Sequence, residues 1–487
     1  MSEHFDLCVI GSGPAGEKGA AQAAYFGKKV CLIERAPRPG GAAVNGGTLP
    51  TQLLRETALA FSALRQRGLY GVEVRVKPDL SLSDFMVRER TVVDAAWQRI
   101  DQNLERHRVA RLQGHARFTD AGTVEVTRFK EAPRRVTADI FLVAPGARPS
   151  RPAEIPFDGR VVVASDDVLG LPAIPRRLVV IGGGAIGSQF AGIFAALGAR
   201  VTLVTGRERL LAQLDADVSD VLRQELTRRH GVQVLVDAAV TDIRVDGELA
   251  AVTLGDGREL VADCVLYCAG REGNTQDLGL DLAAVRTNAR GFIAVDPRFR
   301  TTNPRIFAAG DVIGYPALAS TGMEQARVAM CHAFDLKYKS AVSPVVPYGV
   351  WTVPEVAAVG LGEDDARARG LNVEVGKAWY RDNARAQVIG DAEGVVKLVF
   401  RVDDQRLLGA SIVGERANEL INVPATVLQC GGGLEHFVEA VYGHPTLAEA
   451  FKYAAYDGLQ RLQKRVSRAM ADRSRGEPPT GPGAGTA

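Results

Sequence analysis

Residues 5–35 read FDLCVIGSGPAGEKGAAQAAYFGKKVCLIER, and residues 177–206 read RLVVIGGGAIGSQFAGIFAALGARVTLVTG. Each stretch consists of a short apolar strand, a glycine turn, an alanine-rich helix and a second apolar strand. This order is typical of the βαβ unit of a dinucleotide-binding fold. Two such units in one chain predict two nucleotide-binding domains.

The glycine spacing is the same in both units. It is G-x-G-x-x-G, as the triplets Gly11, Gly13, Gly16 and Gly182, Gly184, Gly187. In this pattern the first glycine makes the tight turn, the second admits a pyrophosphate to the backbone, and the third lets the helix pack on the strand. The helix N-terminus then faces the phosphates. We therefore predict that both turns bind nucleotides.

The end of the second strand differs between the units. The first unit ends in Glu34, followed by Arg35, and a carboxylate there accepts hydrogen bonds from ribose hydroxyls. The second unit has Thr205 instead, followed by Arg207 and Arg209, which either meet a 2′-phosphate or are merely solvated. The first site therefore suits FAD or NAD, and the second tolerates NADP.

The composition excludes several classes of protein. The chain has 487 residues, enough for two to four domains, and its 59 basic residues nearly balance 57 acidic ones. The net charge of +2 does not indicate nucleic acid or an anionic membrane as a partner. The six cysteines predict no disulfide scaffold, and the seven histidines predict no metal site. Without an export signal or a long apolar run, we expect a cytoplasmic protein that does not span a membrane.

The chain resembles the flavoprotein disulfide reductases over about residues 4–465. The features that carry the resemblance are the two nucleotide units, the strand end Gly310-Asp311, and a C-terminal α+β region with strands at 395–400 and 407–413 and helices at 418–430 and 447–463. The resemblance implies an α/β, glutathione-reductase-like fold with two Rossmann-like domains and a C-terminal dimerisation domain. It also implies a homodimer.

The same resemblance implies the domain boundaries. FAD would lie across the first unit, with Asp311 on its ribityl chain, so that residues 1–150 and 285–345 form a discontinuous FAD-binding domain. Residues 151–284 would bind NAD(P), and residues 346–470 would form the dimerisation domain. The tail, residues 471–487, has the composition of a disordered segment. Further candidate cofactor contacts are Thr48, Gly146, Gly270, Arg271 and Gly310.

Within the family, the chain is most similar to the soluble pyridine nucleotide transhydrogenases. The segments that carry this similarity are GTLPTQLLRE (47–56), GREGNT (270–275), FAAGDVIGYPALAS (307–320), INVPATVLQ (421–429) and YGHPTLAEAFKYAAYDGLQRL (442–462). The similarity implies an FAD-dependent enzyme that passes hydride between NADPH and NAD.

Disulfide reductases carry a Cys-x4-Cys pair just after the first unit, and the matching residues here are Ala43 and Thr48. Neither can take part in thiol–disulfide exchange, so disulfide, mercuric-ion or lipoamide reduction is not expected. The family's paired Lys and Glu beside the flavin are here Gln52 and Gln189. We predict that these two amides contact one another near the flavin, and that loss of the cation lowers the flavin potential.

His444 and Glu449 match the acid/base pair of the disulfide reductases, in which histidine carries the proton and glutamate orients it. Here the pair either only packs the dimer interface or protonates another acceptor, such as a quinone. Three functions stay open. The first is hydride transfer between NADPH and NAD. The second is an NAD(P)H dehydrogenase that reduces a quinone, dye or oxygen, and the third is a catalytically silent flavin-binding sensor.

Overall fold

The structure is a computed structural model that describes residues 3–66 and 81–474. The chain divides into two compact units. Unit 1 comprises Met1–Gly182, Ile193–Val204 and Ala238–Pro344, and unit 2 comprises Gly183–Gly192, Thr205–Asp237 and Val345–Ala487.

The strands, in chain order, are β1 (Glu3–Ile10), β2 (Val30–Glu34), β3 (Ala110–Gln113), β4 (His115–Asp120), β5 (Thr123–Thr127), β6 (Arg134–Val143), β7 (Ala147–Pro149), β8 (Val162–Ala164), β9 (Arg177–Ile181), β10 (Arg200–Val204), β11 (Gln233–Leu235), β12 (Val240–Asp246), β13 (Leu249–Leu254), β14 (Glu259–Ala262), β15 (Cys264–Tyr267), β16 (Arg271–Gly273), β17 (Ile306–Ala308), β18 (Tyr348–Val350), β19 (Val356–Gly360), β20 (Val373–Trp379), β21 (Val395–Arg401) and β22 (Leu407–Val413).

The α-helices are α1 (Pro14–Tyr25), α2 (Gly41–Asn45), α3 (Thr48–Gln66), α4 (Leu82–Phe85), α5 (Val87–Arg106), α6 (Ala185–Ala196), α7 (Ala216–Arg228), α8 (Ala319–Ala333), α9 (Glu363–Ala368), α10 (Ala384–Ile389), α11 (Ala417–Leu420), α12 (Asn422–Gln429), α13 (Glu435–Glu439) and α14 (Glu449–Ser474). Short 3₁₀ turns occur at Val168–Gly170, Asp311–Ile313 and Tyr380–Asp382.

The largest sheet of unit 1 has the strand order β3-β2-β1-β6-β5-β4, and β17 lies beside β6. Strand β1 runs parallel to both β2 and β6, and β17 runs parallel to β6. Leu7, Cys8 and Val9 are fully buried, as expected for a parallel strand covered on both faces. The parallel strands end at one edge of the sheet, where the first glycine turn lies.

Three smaller sheets complete unit 1. Strands β10, β9, β15 and β8 lie side by side and parallel, and they carry the second glycine turn at the end of β9. Strands β12, β13 and β14 form an antiparallel sheet, and β16 pairs with β7. Both predicted βαβ patterns are therefore present as strand, turn and helix.

Unit 2 contains an antiparallel sheet of order β18-β19-β22-β21-β20, against which α14 packs. The packing is close, because a Cβ added at Gly376 would lie 2.0 Å from the Ala454 carbonyl oxygen. The predicted helix at 418–430 is instead two helices, α11 and α12. Pro424 explains the break, since proline lacks an N–H and is tolerated only in the first turn of a helix.

Helix α14 continues through Ser474, four residues into the predicted disordered tail, residues 471–487. Ala471–Ser474 contain neither glycine nor proline, so nothing in this stretch ends the helix. The remainder of the predicted tail, residues 475–487, lies outside the described residues. The predicted domain boundaries stay a prediction. No helix within 3–66 or 81–474 is both long and apolar enough to cross a bilayer.

Candidate functional site

The first glycine turn leaves no room for side chains at its first and third glycines. Gly11 has a φ of 97°, and a Cβ there would lie 2.4 Å from the Ala144 carbonyl oxygen. A Cβ at Gly16 would lie 1.8 Å from the Gly11 carbonyl oxygen. At Gly13 the nearest atom to an added Cβ is 3.9 Å away. The middle glycine therefore leaves an open approach to the backbone, as phosphate binding requires.

Glu34 holds the turn from the end of β2. Its Oε2 accepts hydrogen bonds from the Ser12 amide at 2.8 Å and the Ser12 hydroxyl at 2.6 Å, and its Oε1 accepts one from the Ala36 amide at 2.8 Å. A carboxylate has about four acceptor positions, so Glu34 keeps capacity for a ribose hydroxyl. Arg35 is exposed.

Asp311 lies next to the first turn, although the two are far apart in sequence. A Cβ at Gly310 would lie 3.0 Å from the Cβ of Ala15 in α1, so the two segments pack closely. The Gly310 amide donates a 2.9 Å hydrogen bond to the buried Gln325 side chain. Burial raises the pKa of the Asp311 carboxyl, and the charge of Arg271 opposes that shift.

A third segment, around Gly146, joins the same site. Gly146 has a φ of 73° and open space where a Cβ would stand. Arg271, which follows Gly270 with its φ of 140°, donates a 2.7 Å hydrogen bond to the Ala147 carbonyl oxygen. Asn274 donates to the Pro145 carbonyl oxygen at 3.0 Å, but its buried Oδ1 has no hydrogen-bond partner among the described residues. An unsatisfied acceptor here fits a ligand that donates hydrogen bonds.

Sequence reasoning missed Ser12, Gln325 and Asn274. Each acts through a hydrogen bond to a residue distant in the chain, and no local pattern predicts such a pair. The glycine cradle, the free acceptor of Asn274 and the carboxyls of Glu34 and Asp311 together fit FAD.

The second glycine turn has a similar backbone. Gly182 has a φ of 121°, and a Cβ there would lie 2.9 Å from the carbonyl oxygen of Cys268. A Cβ at Gly184 would meet no atom within 4 Å. Gly187 is buried within α6. This turn therefore also has a restricted first glycine and an open second glycine.

The segment after β10 differs from the end of β2. Thr205 is buried, and its Oγ1 accepts a 3.2 Å hydrogen bond from the Arg207 amide. The Arg207 side chain is exposed. Arg209 pairs with Glu208 at 3.1 Å, and its buried Nε has no hydrogen-bond partner within the described part of the chain. The exposed Arg207 is therefore accessible to an anion, whereas Nε of Arg209 is an unpaired donor without solvent contact.

Two of the predicted site residues lie in different units. Gln52 is half-buried in α3 of unit 1, and Gln189 is half-buried in α6 of unit 2. Their contact stays a prediction. Ala43 lies within α2, and Thr48 begins α3 with an exposed side chain.

His444 and Glu449 form the predicted pair in unit 2. The His444 Nδ1 lies 3.0 Å from Oε1 of Glu449, and the Thr446 amide donates a 3.0 Å hydrogen bond to Oε2. The Thr446 amide, followed by the His444 ring, holds the pKa of the Glu449 carboxyl below its usual range. The His444 side chain is 72% exposed, so its ring is accessible to a ligand or a partner.

All six cysteines are free thiols. Burial raises the pKa of Cys264 and of Cys268 to about 12, and Cys31 together with burial raises that of Cys8. These three thiols are therefore protonated at neutral pH and are poor nucleophiles. Among the residues described, no group of three His, Cys, Asp or Glu side chains could hold a metal ion.

Comparisons with known proteins agree with this geometry. A family model described as pyridine nucleotide-disulphide oxidoreductase matches residues 5–333, and the model of its dimerisation domain matches residues 346–455. A protein named soluble pyridine nucleotide transhydrogenase from Mycobacterium bovis (strain BCG / Pasteur 1173P2) is 39% identical over 94% of this chain and 98% of its own length. Its namesake from Chromohalobacter salexigens is 36% identical over 95% of this chain and 100% of its own length.

Solved structures show the same fold. LpdA from Mycobacterium tuberculosis matches with a TM-score of 0.84 at 28% identity, over 92% of this chain and 99% of its own. The Cu(II) complex of the flavoprotein disulfide reductase RclA from Escherichia coli matches with a TM-score of 0.84 at 26% identity, over 93% and 99%.

These matches confirm the predicted fold class, with its C-terminal dimerisation domain. FAD and NAD(P) are the cofactors that the family implies, and the chain is an FAD-dependent oxidoreductase of pyridine nucleotides. With the first model alone matching residues 5–333 of 487, the chain belongs to the pyridine nucleotide-disulphide oxidoreductase family.

Proposed function

We propose that the chain passes hydride between NADPH and NAD by way of FAD, without a redox disulfide. The proposal rests on one combination of features. The chain has two dinucleotide-type glycine turns, and the segment beside the first turn has Ala43 and Thr48 where a redox disulfide would need cysteines. Relatives named soluble pyridine nucleotide transhydrogenase over nearly the whole length support it. FAD, when bound, supplies the two-electron chemistry that links the two nicotinamides.

The residues of the first turn would hold FAD. The open backbone at Gly13 receives the pyrophosphate, and Glu34 accepts from the adenosine ribose while it fixes Ser12. Asp311, beside the start of α1, accepts from the ribityl chain, and Asn274 Oδ1 gains the hydrogen bond that it lacks. None of these roles needs a thiol.

The residues of the second turn would hold the nicotinamide nucleotide. Gly184 leaves room for its pyrophosphate, and Arg207 and Arg209 meet the 2′-phosphate of NADPH. NAD, which lacks that phosphate, uses the same turn without the arginines. One site thus serves both nucleotides in turn, and the kinetics should be ping-pong.

Anaerobic mixing of the holoenzyme with nucleotides tests the proposal. NADPH should bleach the flavin absorbance, and NAD added next should restore it while NADH appears. Restoration by a quinone but not by NAD would instead support a dehydrogenase. Failure of both NADPH and NADH to bleach the flavin would support a silent sensor.

Substitution of the two arginines tests the nucleotide site. Combined Arg207→Ala and Arg209→Ala should weaken the use of NADPH more than that of NADH, because only NADPH carries the 2′-phosphate. Arg223→Ala is the matched control, since Arg223 is a surface arginine of unit 2 that pairs with Asp220 at 3.2 Å. Equal losses with NADPH and NADH would reject the assigned role.

A second function is favoured by the His444–Glu449 pair. Its 3.0 Å contact and the exposed imidazole suit proton delivery to a reduced acceptor such as a quinone. If the pair serves this reaction, His444→Gln should slow quinone reduction by NADPH and leave the NADPH-to-NAD rate unchanged. If it only packs an interface, both rates should change together or not at all.

We also propose an oligomeric state and a cellular location for the protein. The match to a dimerisation domain over residues 346–455 supports a homodimer, and we place it in the cytoplasm with its nucleotide substrates. Analytical ultracentrifugation of the full chain should give twice the 52.0 kDa of one subunit. A monomer at all concentrations would contradict the dimer.

A further inference from the structure

The segment Pro39–Asn45, here called the 39–45 turn, meets the first glycine turn directly. The Gly40 amide donates to the Ser12 carbonyl oxygen at 3.1 Å. A Cβ added at Gly41 would lie 2.9 Å from the Cα of Gly13, the glycine assigned to the pyrophosphate. A shift of the 39–45 turn would therefore change the space beside Gly13.

The backbone of this turn carries an entropic cost of ordering. Gly40 and Gly41 have φ values of 103° and 56°, in the left-handed region, and two adjacent glycines are costly to order. Neither Ala43 nor Thr48 can form a covalent bridge across the segment. Non-covalent contacts alone must therefore hold it.

Asn45 supplies the internal contacts. Its Nδ2 donates to the carbonyl oxygens of Pro39 at 3.1 Å and Gly41 at 3.0 Å, which closes the turn. Its Oδ1 accepts a 2.8 Å hydrogen bond from Nε1 of Trp97. The indole N–H only donates, so it fixes which end of the amide faces the turn.

Trp97 connects this amide to α5. The ring packs in a cluster with Val44 of α2 and Val93 of α5, and the Arg38 guanidinium lies 5.0 Å from its centroid. The indole thus contacts Asn45 at the end of the 39–45 turn and Arg38, the residue that immediately precedes it. A packed side chain with a single orientation is well suited to hold a flexible segment in one position.

We propose that Trp97 is a positioning residue that acts through Asn45 to hold the 39–45 turn against Gly13, and so sets the affinity for FAD. The inference rests on the proposed placement of FAD at the first glycine turn. It adds a residue outside the glycine motif to the machinery of the FAD site.

The test compares Trp97→Phe with Trp379→Phe in the full-length protein. Trp379 is a matched control, because it also carries an arginine over its ring, Arg381 at 4.6 Å, but lies in unit 2. Trp97→Phe should raise the FAD dissociation constant about three- to tenfold, the effect of one net hydrogen bond. It should also speed hydrogen exchange of the amides of residues 40–45, whereas Trp379→Phe should change neither quantity.

A double-mutant cycle shows whether Trp97 acts through Asn45. Trp97→Phe combined with Asn45→Ala should weaken FAD binding no more than Asn45→Ala alone, because both changes break one connection. Additive losses would overturn the inference. If Trp97→Phe fails to fold, Asn45→Asp tests the other end of the connection, since it keeps the acceptor for Trp97 and loses the donors to Pro39 and Gly41. It should raise the FAD dissociation constant and speed exchange of residues 40–45, and no change in either would overturn the inference.

Gly13→Ala separates this inference from the proposed FAD site. If Gly13→Ala abolishes FAD binding while Trp97→Phe alters neither exchange nor affinity, the FAD site stands and the inference fails. If Gly13→Ala binds FAD normally, the placement of FAD fails, and the inference fails with it.

Discussion

The two glycine turns share a backbone but differ in what surrounds them. Both begin with a glycine of positive φ whose Cβ would strike a carbonyl oxygen, that of Ala144 at 2.4 Å in the first turn and that of Cys268 at 2.9 Å in the second. The first turn is then held by the carboxylate of Glu34, whereas the second is followed by Thr205 and two arginines. The second glycine leaves open space in both turns, and we predict that the strand ends set which nucleotide each turn prefers.

The segment that carries Arg207 and Arg209 has a charged anchor within unit 2. Asp215, which ends the segment that begins at Thr205, accepts hydrogen bonds from the Glu363 and Asp364 amides at 2.9 and 3.2 Å. The buried Lys397 lies 2.9 Å from its carboxylate. The arginine-bearing segment is thus tied to the C-terminal region, whereas the first turn is built entirely within unit 1.

The largest expected effect tests how much space the glycines of the two turns leave for a side chain. Gly16→Ala places a methyl 1.8 Å from the Gly11 carbonyl oxygen, a backbone atom that cannot move aside. We expect complete loss of folded, FAD-bound protein, measured as flavin absorbance per mole of purified chain. Gly184→Ala has open space, so it should fold and keep FAD but raise the KM for NADPH. Equal behaviour of the two variants would break the comparison.

The two turns were predictable because their signals are local. Glycine spacing and apolar strand patterns predict β1, α1, β9 and α6, and the structure contains each of them. The position of Asp311 beside the first turn required the family resemblance, since no short-range pattern connects it to Gly11.

The supporting contacts were not predictable, because each joins residues distant in sequence. Trp97 and Asn45 are ordinary helix residues until folding brings α5 against α2. The same holds for Asp215, because the amides of α9 that it accepts from lie 148 and 149 residues further along the chain. Tertiary packing, rather than propensity, determines these pairs.

The second prediction compares how a fall in pH changes the stability of unit 2 and of the first glycine turn. His230, shortly after α7, has two buried ring nitrogens with no hydrogen-bond partner in the described structure, and burial, followed by the charge of Arg229, lowers its pKa from 6.5 to about 4. The unfolded chain therefore takes up a proton below pH 6.5 that the folded chain refuses until about pH 4. Stability should fall as the pH drops through this window, by up to about 3 kcal/mol.

Urea unfolding at a series of pH values measures this effect. His230→Leu should flatten the slope between about pH 6 and pH 4, because leucine has no proton to bind. Hydrogen exchange should place the acid-sensitive opening in unit 2, with the first glycine turn less affected. An unchanged slope in the variant would assign the acid sensitivity to other groups.

The third prediction tests the strand ends. Glu34→Gln keeps one acceptor oxygen but turns an NH2 group toward an N–H donor, so the hydrogen bonds from Ser12 or the one from Ala36 are lost, and those that remain go to a neutral oxygen. We expect the FAD dissociation constant to rise about tenfold or more, since hydrogen bonds to charged groups contribute about 1.5–3 kcal/mol. Thr205→Val removes the hydroxyl that accepts from the Arg207 amide, and should raise the KM for NADPH by less than tenfold. A larger effect of Thr205→Val than of Glu34→Gln would contradict the prediction that the carboxylate contributes more to nucleotide binding than the hydroxyl.

The smallest expected effect concerns the side-chain amides of Gln52 and Gln189. Gln52 belongs to unit 1 and Gln189 to unit 2, and the prediction is that both lie beside the flavin. Combined Gln52→Lys and Gln189→Glu should raise the midpoint potential of bound FAD, because an ammonium stabilises the negative charge gained on reduction. Gln52→Lys alone should destabilise the protein, since its charge lacks the glutamate partner. Redox titration against a dye measures the potential, and an unchanged midpoint in the double variant would show that the residues following the two turns do not meet at the flavin.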